Sequence, residues 1–217
     1  MRIKHGIERA QPSDYRIATI PLNKTFLITC EGQTEELYFK SFPVLGARVK
    51  VINLEGQSKL KLVETTQDIL QNSHETYDEV WCVFDMDVQR GKDEFSDFDN
   101  AIQKAKLLKY KVAYSNDAFE IWFYLHYTHS EAQQLRTFYY EELSKKFNLN
   151  YTRDGKKYDF CLKTYQLLAN DTNSCQKKAI ERAIKLHIDQ KDLPYHQQNP
   201  VTLVYALVVE LNNNLRR

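Results

Sequence analysis

Short apolar runs alternate with stretches of helical period up to about residue 128, and there the pattern changes. Thr25-Phe26-Leu27-Ile28-Thr29-Cys30 has the character of a buried strand. It breaks at Glu31-Gly32-Gln33-Thr34-Glu35-Glu36 before Leu37-Tyr38-Phe39, which predicts a strand, a tight turn and a helix. Gly32 suits the turn, Thr34 the helix N-cap, and Glu35 and Glu36 the positive end of the helix dipole. Glu31 lies outside that first helical turn, at the carboxyl end of the strand. A second unit runs from Arg48 to Leu54 and into a helix after Ser58, with Leu60, Leu62, Val63, Thr66, Ile69 and Leu70 on its apolar face. A third strand, Glu79 to Phe84, ends in Asp85-Met86-Asp87 and leads to a helix carrying Phe98, Ala101, Ile102, Ala105 and Leu108. The fourth, Lys111 to Tyr114, ends in Ser115-Asn116-Asp117 before the apolar helix Ala118 to His126.

Four strand and helix alternations predict an α/β fold, a parallel, Rossmann-like sheet of about four strands with helices on both faces. In such sheets ligands gather outside the carboxyl ends of the strands. From 129 to 217 only helical patterns follow, over His129 to Phe147, Phe160 to Ala169, Ser174 to His187 and Pro200 to Leu211. The expected organisation is therefore a basic arm at 1–22, an α/β domain at 23–128 and a helical C-terminal region at 129–217 packed on the same core. The arm carries Arg2, Lys4, Arg9 and Arg16; its charges can touch a phosphate backbone or form a solvated tail.

Composition narrows this picture only a little. The 217 residues are 42% hydrophobic, enough for one core with a helical appendage. Thirty basic and twenty-nine acidic residues give a formal net charge of +1, so any basic surface is local. Cys30, Cys82, Cys161 and Cys175 form no CxxC pair and suggest neither zinc nor redox chemistry. Without a leader-like or membrane-length apolar run, the chain is expected in the cytoplasm. Tyr139, Tyr140, Tyr151, Tyr158 and Tyr165 interleave with Lys145, Lys146, Arg153, Lys156 and Lys157. Such a pattern holds phosphates and stacks bases, or else packs helices through the tyrosines while the lysines face water. Lys156 and Lys157 are accordingly candidates for nucleic-acid contact or for a solvated surface. His126, within an apolar helix, is expected to be a satisfied core histidine.

The acidic groups carry the chemistry. Residues two apart on a strand share a side, so Asp85 and Asp87 are expected to face one space, where a divalent cation would relieve their repulsion. Glu31 and Glu120 fall at the same edge. A calcium loop starting at Asp85 is rejected, because Arg90 and Ser96 replace its glycine and its final glutamate. A dehalogenase-like phosphatase, whose DxD ends the first strand where here it ends the third, is the runner-up enzyme reading, and a sugar-nucleotide DxD has no other support here. Ser115 and Asn116 can bind a phosphate at the following helix N-terminus or cap that helix.

The arrangement resembles the Toprim domain of topoisomerases, primases and OLD-type nucleases, with a glutamate after the first strand and a DxD after the third. Glu31-Gly32-Gln33-Thr34-Glu35 with Tyr38-Phe39, the strand ending Phe84-Asp85-Met86-Asp87, and Ser115-Asn116-Asp117-Ala118-Phe119-Glu120-Ile121-Trp122 with Leu125-His126 look more specifically like the RloB family, which includes abortive-infection proteins of the AbiL type. Asn199-Pro200 before an apolar helix also fits. Asp117 departs from the pattern, standing where the family usually has proline. The resemblance implies a Toprim/Rossmann-like fold and a Mg²⁺- or Mn²⁺-dependent nuclease acting on DNA or RNA in anti-phage or restriction-associated defence, with a neighbouring AAA or ABC-like ATPase as partner. It implies Glu31 as general acid/base and Asp85 and Asp87 as metal ligands, with Glu120 a further candidate ligand. The competing reading is a non-catalytic sensor subunit that binds metal or nucleotide at the same edge.

Overall fold

The computed structural model describes residues 24–44, 49–55, 58–87 and 93–215. The basic arm expected at 1–22 lies outside them. One sheet has the order β2-β1-β3-β4-β5, with β1 at Phe26–Cys30, β2 at Val49–Asn53, β3 at Glu79–Asp85, β4 at Lys111–Asn116 and β5 at Val201–Thr202. The first four strands run parallel, as expected, and β5 is antiparallel to β4. The interior strand β1 is buried at every residue, whereas edge strand β2 is only partly covered. That difference explains why one reads as a continuous apolar run and the other alternates.

Helices α1 (Gln33–Lys40), α2 (Lys59–Gln71), α3 (Asp93–Leu107) and α4 (Glu120–Leu125) follow β1 to β4 in turn. On one face, Leu62 and Val63 of α2 and Phe98 and Ile102 of α3 pack against Cys82, Phe84 and Tyr114. The alternate residues Phe26, Ile28, Trp81 and Val83 point to the other face, where they meet Tyr38 and Phe39 of α1 and Trp122 and Phe123 of α4. The helical C-terminal region lies over this second face. Its helices are α5 (Arg136–Phe147), α6 (Tyr151–Asp154), α7 (Tyr158–Asn170), α8 (Gln176–Gln190) and α9 (Val204–Asn212). Every residue of α4 is buried between the sheet and these helices, which accounts for its apolar character all round.

Three local expectations are corrected. Helix α1 starts at Gln33 with Gly32 as N-cap, so Thr34 sits inside the first turn, where its Oγ1 lies 3.6 Å from Cys161 Sγ. The stretch from His129 to Leu135 is not helical; α5 begins only at Arg136, where the backbone N–H donates to Asp117 Oδ2 at 2.9 Å. A distant carboxylate thus satisfies one of the free N–H groups of the helix end. Finally, Val201 and Thr202 form a strand before α9 because they pair with Asn116 and Ser115 of β4. Thr202 Oγ1 and Ser115 Oγ are 2.9 Å apart.

Tyr139 and Tyr151 are buried in the helical layer, Tyr140 and Tyr165 pack against it, and Tyr158 is exposed. Packing thus dominates the aromatic series. His126 is buried as expected, with Nδ1 2.9 Å from the Trp122 carbonyl oxygen. Among the described residues, no helix is long and apolar enough to cross a membrane.

Candidate active site

The two acid-bearing strands sit side by side in the middle of the sheet, where the order reverses from β1 toward β2 on one side and β4 on the other. Such a switch point opens a crevice at the carboxyl ends of the strands. Cys30 pairs with Val83, and the ladder extends one residue further as Glu31 N–H donates to the Val83 carbonyl at 3.0 Å. This register sets Glu31 beside the end of β3, and Glu31 Oε2 accepts from the Asp85 backbone N–H at 3.3 Å.

Asp85 closes β3, but Asp87 lies past the strand in the left-handed region with φ 51°. Aspartate is among the few non-glycine residues that tolerate this conformation. The two carboxylates therefore meet at one cleft by a turn of the backbone and not by simple strand alternation. That cleft, of about 250 Å³, is lined by Glu31, Glu35, Asp85, Asp87, Arg136 and Lys156, with residues 32–34 as its floor. Glu120, fully buried at the start of α4, stands behind it and is linked to it through Lys156.

The electrostatics are those of crowded, partly dry acids. Burial, then the carboxylates of Glu35, Glu120 and Glu31, push Asp85 well above the usual carboxylate range against the pull of Arg136. Burial also raises Glu35 to about 7, opposed by Lys156 and assisted by Glu120 and Glu31. Cations from other elements answer this charge. Arg136 Nη2 lies 3.1 Å from Asp87 Oδ1, Lys156 forms an ion pair with Glu120, and buried Lys59 of α2 places Nζ 3.9 Å from Glu31 Oε1. Tyr151 OH donates to Glu120 Oε1 at 3.3 Å.

Glu35 and Arg136 belong to this cleft and escape a reading by motif. Glu35 resembles any acid in a first helical turn, and only the glycine three residues before it signals its position. Gly32 has an ordinary extended backbone, so turn freedom is not its purpose; a Cβ there would come within 2.8 Å of Glu35 Oε2. Arg136 reaches the site from a helix about fifty residues beyond the DxD.

Other candidates lie elsewhere. Ser115 and Asn116 are the last residues of β4 and neither caps α4, whose N-cap is Phe119 without a side-chain hydrogen bond. Ser115 is fully buried against Thr202, and Asn116 Nδ2 donates to the His196 carbonyl at 3.0 Å. Lys157 pairs at the surface with Asp154 at 2.8 Å, away from the acids that its neighbour Lys156 meets.

These acids have the right chemistry for a hard divalent cation, which favours oxygen donors. Two buried carboxylate oxygens, Asp85 Oδ1 and Glu120 Oε2, have no hydrogen-bond partner, as expected of atoms that await one. Among the described residues, no three acidic, histidine or cysteine groups stand close enough to clasp an ion as they are. Asp87 and Glu120 are instead turned to Arg136 and Lys156.

The motifs at this edge lie within a match to the RloB-like protein family that spans residues 26–211. The chain belongs to that family. The match runs from β1 almost to the end of α9, so the RloB-like unit includes both the sheet and the helical layer, which supplies Arg136 from α5 and Lys156 from the turn between α6 and α7. No curated protein matches the chain.

Proposed function

We propose that this RloB-like protein is a Mg²⁺- or Mn²⁺-dependent nuclease of Toprim type that hydrolyses phosphodiester bonds of DNA or RNA in the cytoplasm, as part of an anti-phage or restriction-associated defence system. The observation that carries the reading is the meeting of Glu31, Asp85 and Asp87 at the sheet's switch point, with the unpartnered Asp85 Oδ1 among them. Asp85 and Asp87 would hold the cation, and Glu120 is the reserve carboxylate behind them. A divalent cation bound there would supply positive charge to the attacking and departing oxygens of the phosphodiester. Glu31, which accepts from the Asp85 N–H of the DxD strand, would take the proton from the attacking water and return it to the departing oxygen. Arg136 and Lys156, which line the same cleft, would hold the phosphate oxygens. Arg136 of α5 and Lys156 of the turn between α6 and α7 reach into the cleft, so that substrate would have to displace Arg136 from Asp87 or bind over it. A partner ATPase of the AAA or ABC-like type, implied by the resemblance to defence proteins, is the proposed source of control.

A binding-only role at the same edge draws support from the ion pairs that engage Asp87 and Glu120. The experiment that separates the two readings is incubation of the purified protein with supercoiled plasmid and with total RNA in Mg²⁺ or Mn²⁺, beside an Asp85→Ala/Asp87→Ala control. Cleavage of either substrate that the control lacks supports the nuclease. No cleavage, with calorimetric metal binding that the control loses, supports the binding-only role.

A further inference from the structure

A second and larger cleft, of about 640 Å³, adjoins the acidic one along the chain, Leu135 lining the one and Arg136 the other. Asn116 and Leu135 line the large cleft, whereas their chain neighbours Asp117 and Arg136 form an ion pair at 3.7 Å, Arg136 lines the acidic cleft, and the Asp117 carbonyl accepts from the Asp87 backbone N–H at 3.3 Å. Its size lies within the ordinary range of about 300–1,000 Å³ for small-molecule clefts.

The lining has an unusual composition. Among its described residues none is lysine, arginine, aspartate or glutamate, so it is not built for phosphate or metal. Primary amides provide most of its polar groups, including Gln133 and Gln197, and Leu135 and Leu193 its apolar walls. Amides present both donors and acceptors without charge, which matches the edges of a heteroaromatic base. One side is a ready-made aromatic surface: the rings of Phe95 and His196 stack at 5.2 Å with planes 14° apart. Asp99 fixes that imidazole, through Nδ1 at 2.8 Å and through the His196 backbone N–H at 2.9 Å. A second observation points to a ligand. Asn116 is 1% exposed, and its Oδ1 has no hydrogen-bond partner although its Nδ2 does. A buried amide oxygen left unpaired is costly, and a donor on a ligand in this cleft would answer it.

We propose that this cleft is a nucleobase subsite that receives an unstacked base next to the bond presented to the acids. The proposal rests on the nuclease reading for its biological sense and deepens it: the substrate would be single-stranded or locally unpaired nucleic acid, since a paired and stacked base cannot enter a pocket. The polynucleotide would then pass over the Asp117–Arg136 ion pair, with a phosphate on the acidic side and a base on the amide side.

The test is calorimetric titration of the whole protein, without metal, with adenosine, cytidine, guanosine and uridine, and with ribose 5-phosphate as a probe that lacks a base. The same titrations are made on Gln133→Ala, an exposed position that leaves the core untouched, on Asn116→Leu, and on Asp85→Ala/Asp87→Ala. Expected is binding of at least one nucleoside, weakened about tenfold by Gln133→Ala or Asn116→Leu and kept by the double aspartate variant. That result supports the subsite even if the protein cleaves nothing, in which case the nuclease reading alone fails. Absence of binding by all four nucleosides, binding that both amide variants leave unchanged, or ribose 5-phosphate binding as tightly as the nucleosides overturns the subsite even where nuclease activity is present.

Discussion

Arg136 places its guanidinium 3.1 Å from Asp87 Oδ1, tying the first turn of α5 to the chain just past β3. Burial works against its charge, yet Asp85, Asp87 and Asp117 together hold its pKa above the ordinary value. Arg136 thus stands where a divalent cation would compete. Arg136→Gln leaves Asp87 and the fully buried Asp117 without that charge. The expected loss is about 2 kcal/mol, below the range for a fully buried pair because the site is partly open. If Asp87 is a ligand, millimolar Mg²⁺ recovers part of the loss. Thermal unfolding in EDTA and in Mg²⁺ checks this; a variant equally unstable in both would remove Asp87 from the ligand set.

Glu31→Gln keeps the shape of the side chain and an oxygen able to accept from the Asp85 N–H. Cleavage is expected to fall by about 10²-fold or more, the usual scale for removing a positioned acid or base, while calorimetric metal binding persists. Activity equal to the parent protein would remove Glu31 from the chemistry.

The parallel sheet was legible because interior strands such as β1 and β3 are continuous runs of apolar, β-branched and aromatic residues, and Glu31 and Asp85 because each follows such a run directly, with Asp87 two residues on. Strand order was not, since pairing depends on contacts far apart in sequence. For the same reason β5 was hidden in a helical pattern: two residues next to Asn199-Pro200 become a strand only because Ser115 and Asn116 are there to pair with them. Those two residues look like a cap or a phosphate loop when β4 is read as ending at Tyr114. Arg136 could not be assigned to the cleft without knowing that Asp117 anchors the start of α5. Glu35 was visible but undistinguished, its burial following from α7 packing on α1 and from Lys156 reaching Thr34 in the first turn of that helix.

His126 predicts how stability responds to acid. Its burial pushes the imidazole down to about 4, with Arg182 acting in the same direction. An unfolded histidine titrates near 6.5, so unfolding takes up a proton between these values. The stabilising effect is complete above about pH 6.5 and is lost as pH falls toward 4, up to about 3 kcal/mol. His126→Gln, which can keep a hydrogen bond to the Trp122 carbonyl, is expected to flatten this part of the profile. Urea unfolding at pH 7.5 and pH 4.5 checks it; equal slopes in the two proteins would mean that other groups control the acid limb.

Glu35 gives the opposite sign. The fold raises its carboxyl from the ordinary range to about 7, chiefly by burial, so folding favours the protonated acid. Its contribution is fullest below the unfolded value near 4.3 and is lost as pH rises through about 7. At pH 8 the native state then holds a buried carboxylate that Lys156 only partly compensates. Glu35→Gln is expected to stabilise the protein by roughly 1–3 kcal/mol at pH 8 and by little at pH 4. Gly32→Ala supplies an independent check on the same group, because a Cβ would meet Glu35 Oε2 at 2.8 Å and turn the carboxylate away from its dry position. It should therefore reduce the pH dependence without removing the acid. Tm profiles of the parent and both variants from pH 4 to pH 8 decide the matter; parallel profiles would show that the crowded acids share their proton elsewhere.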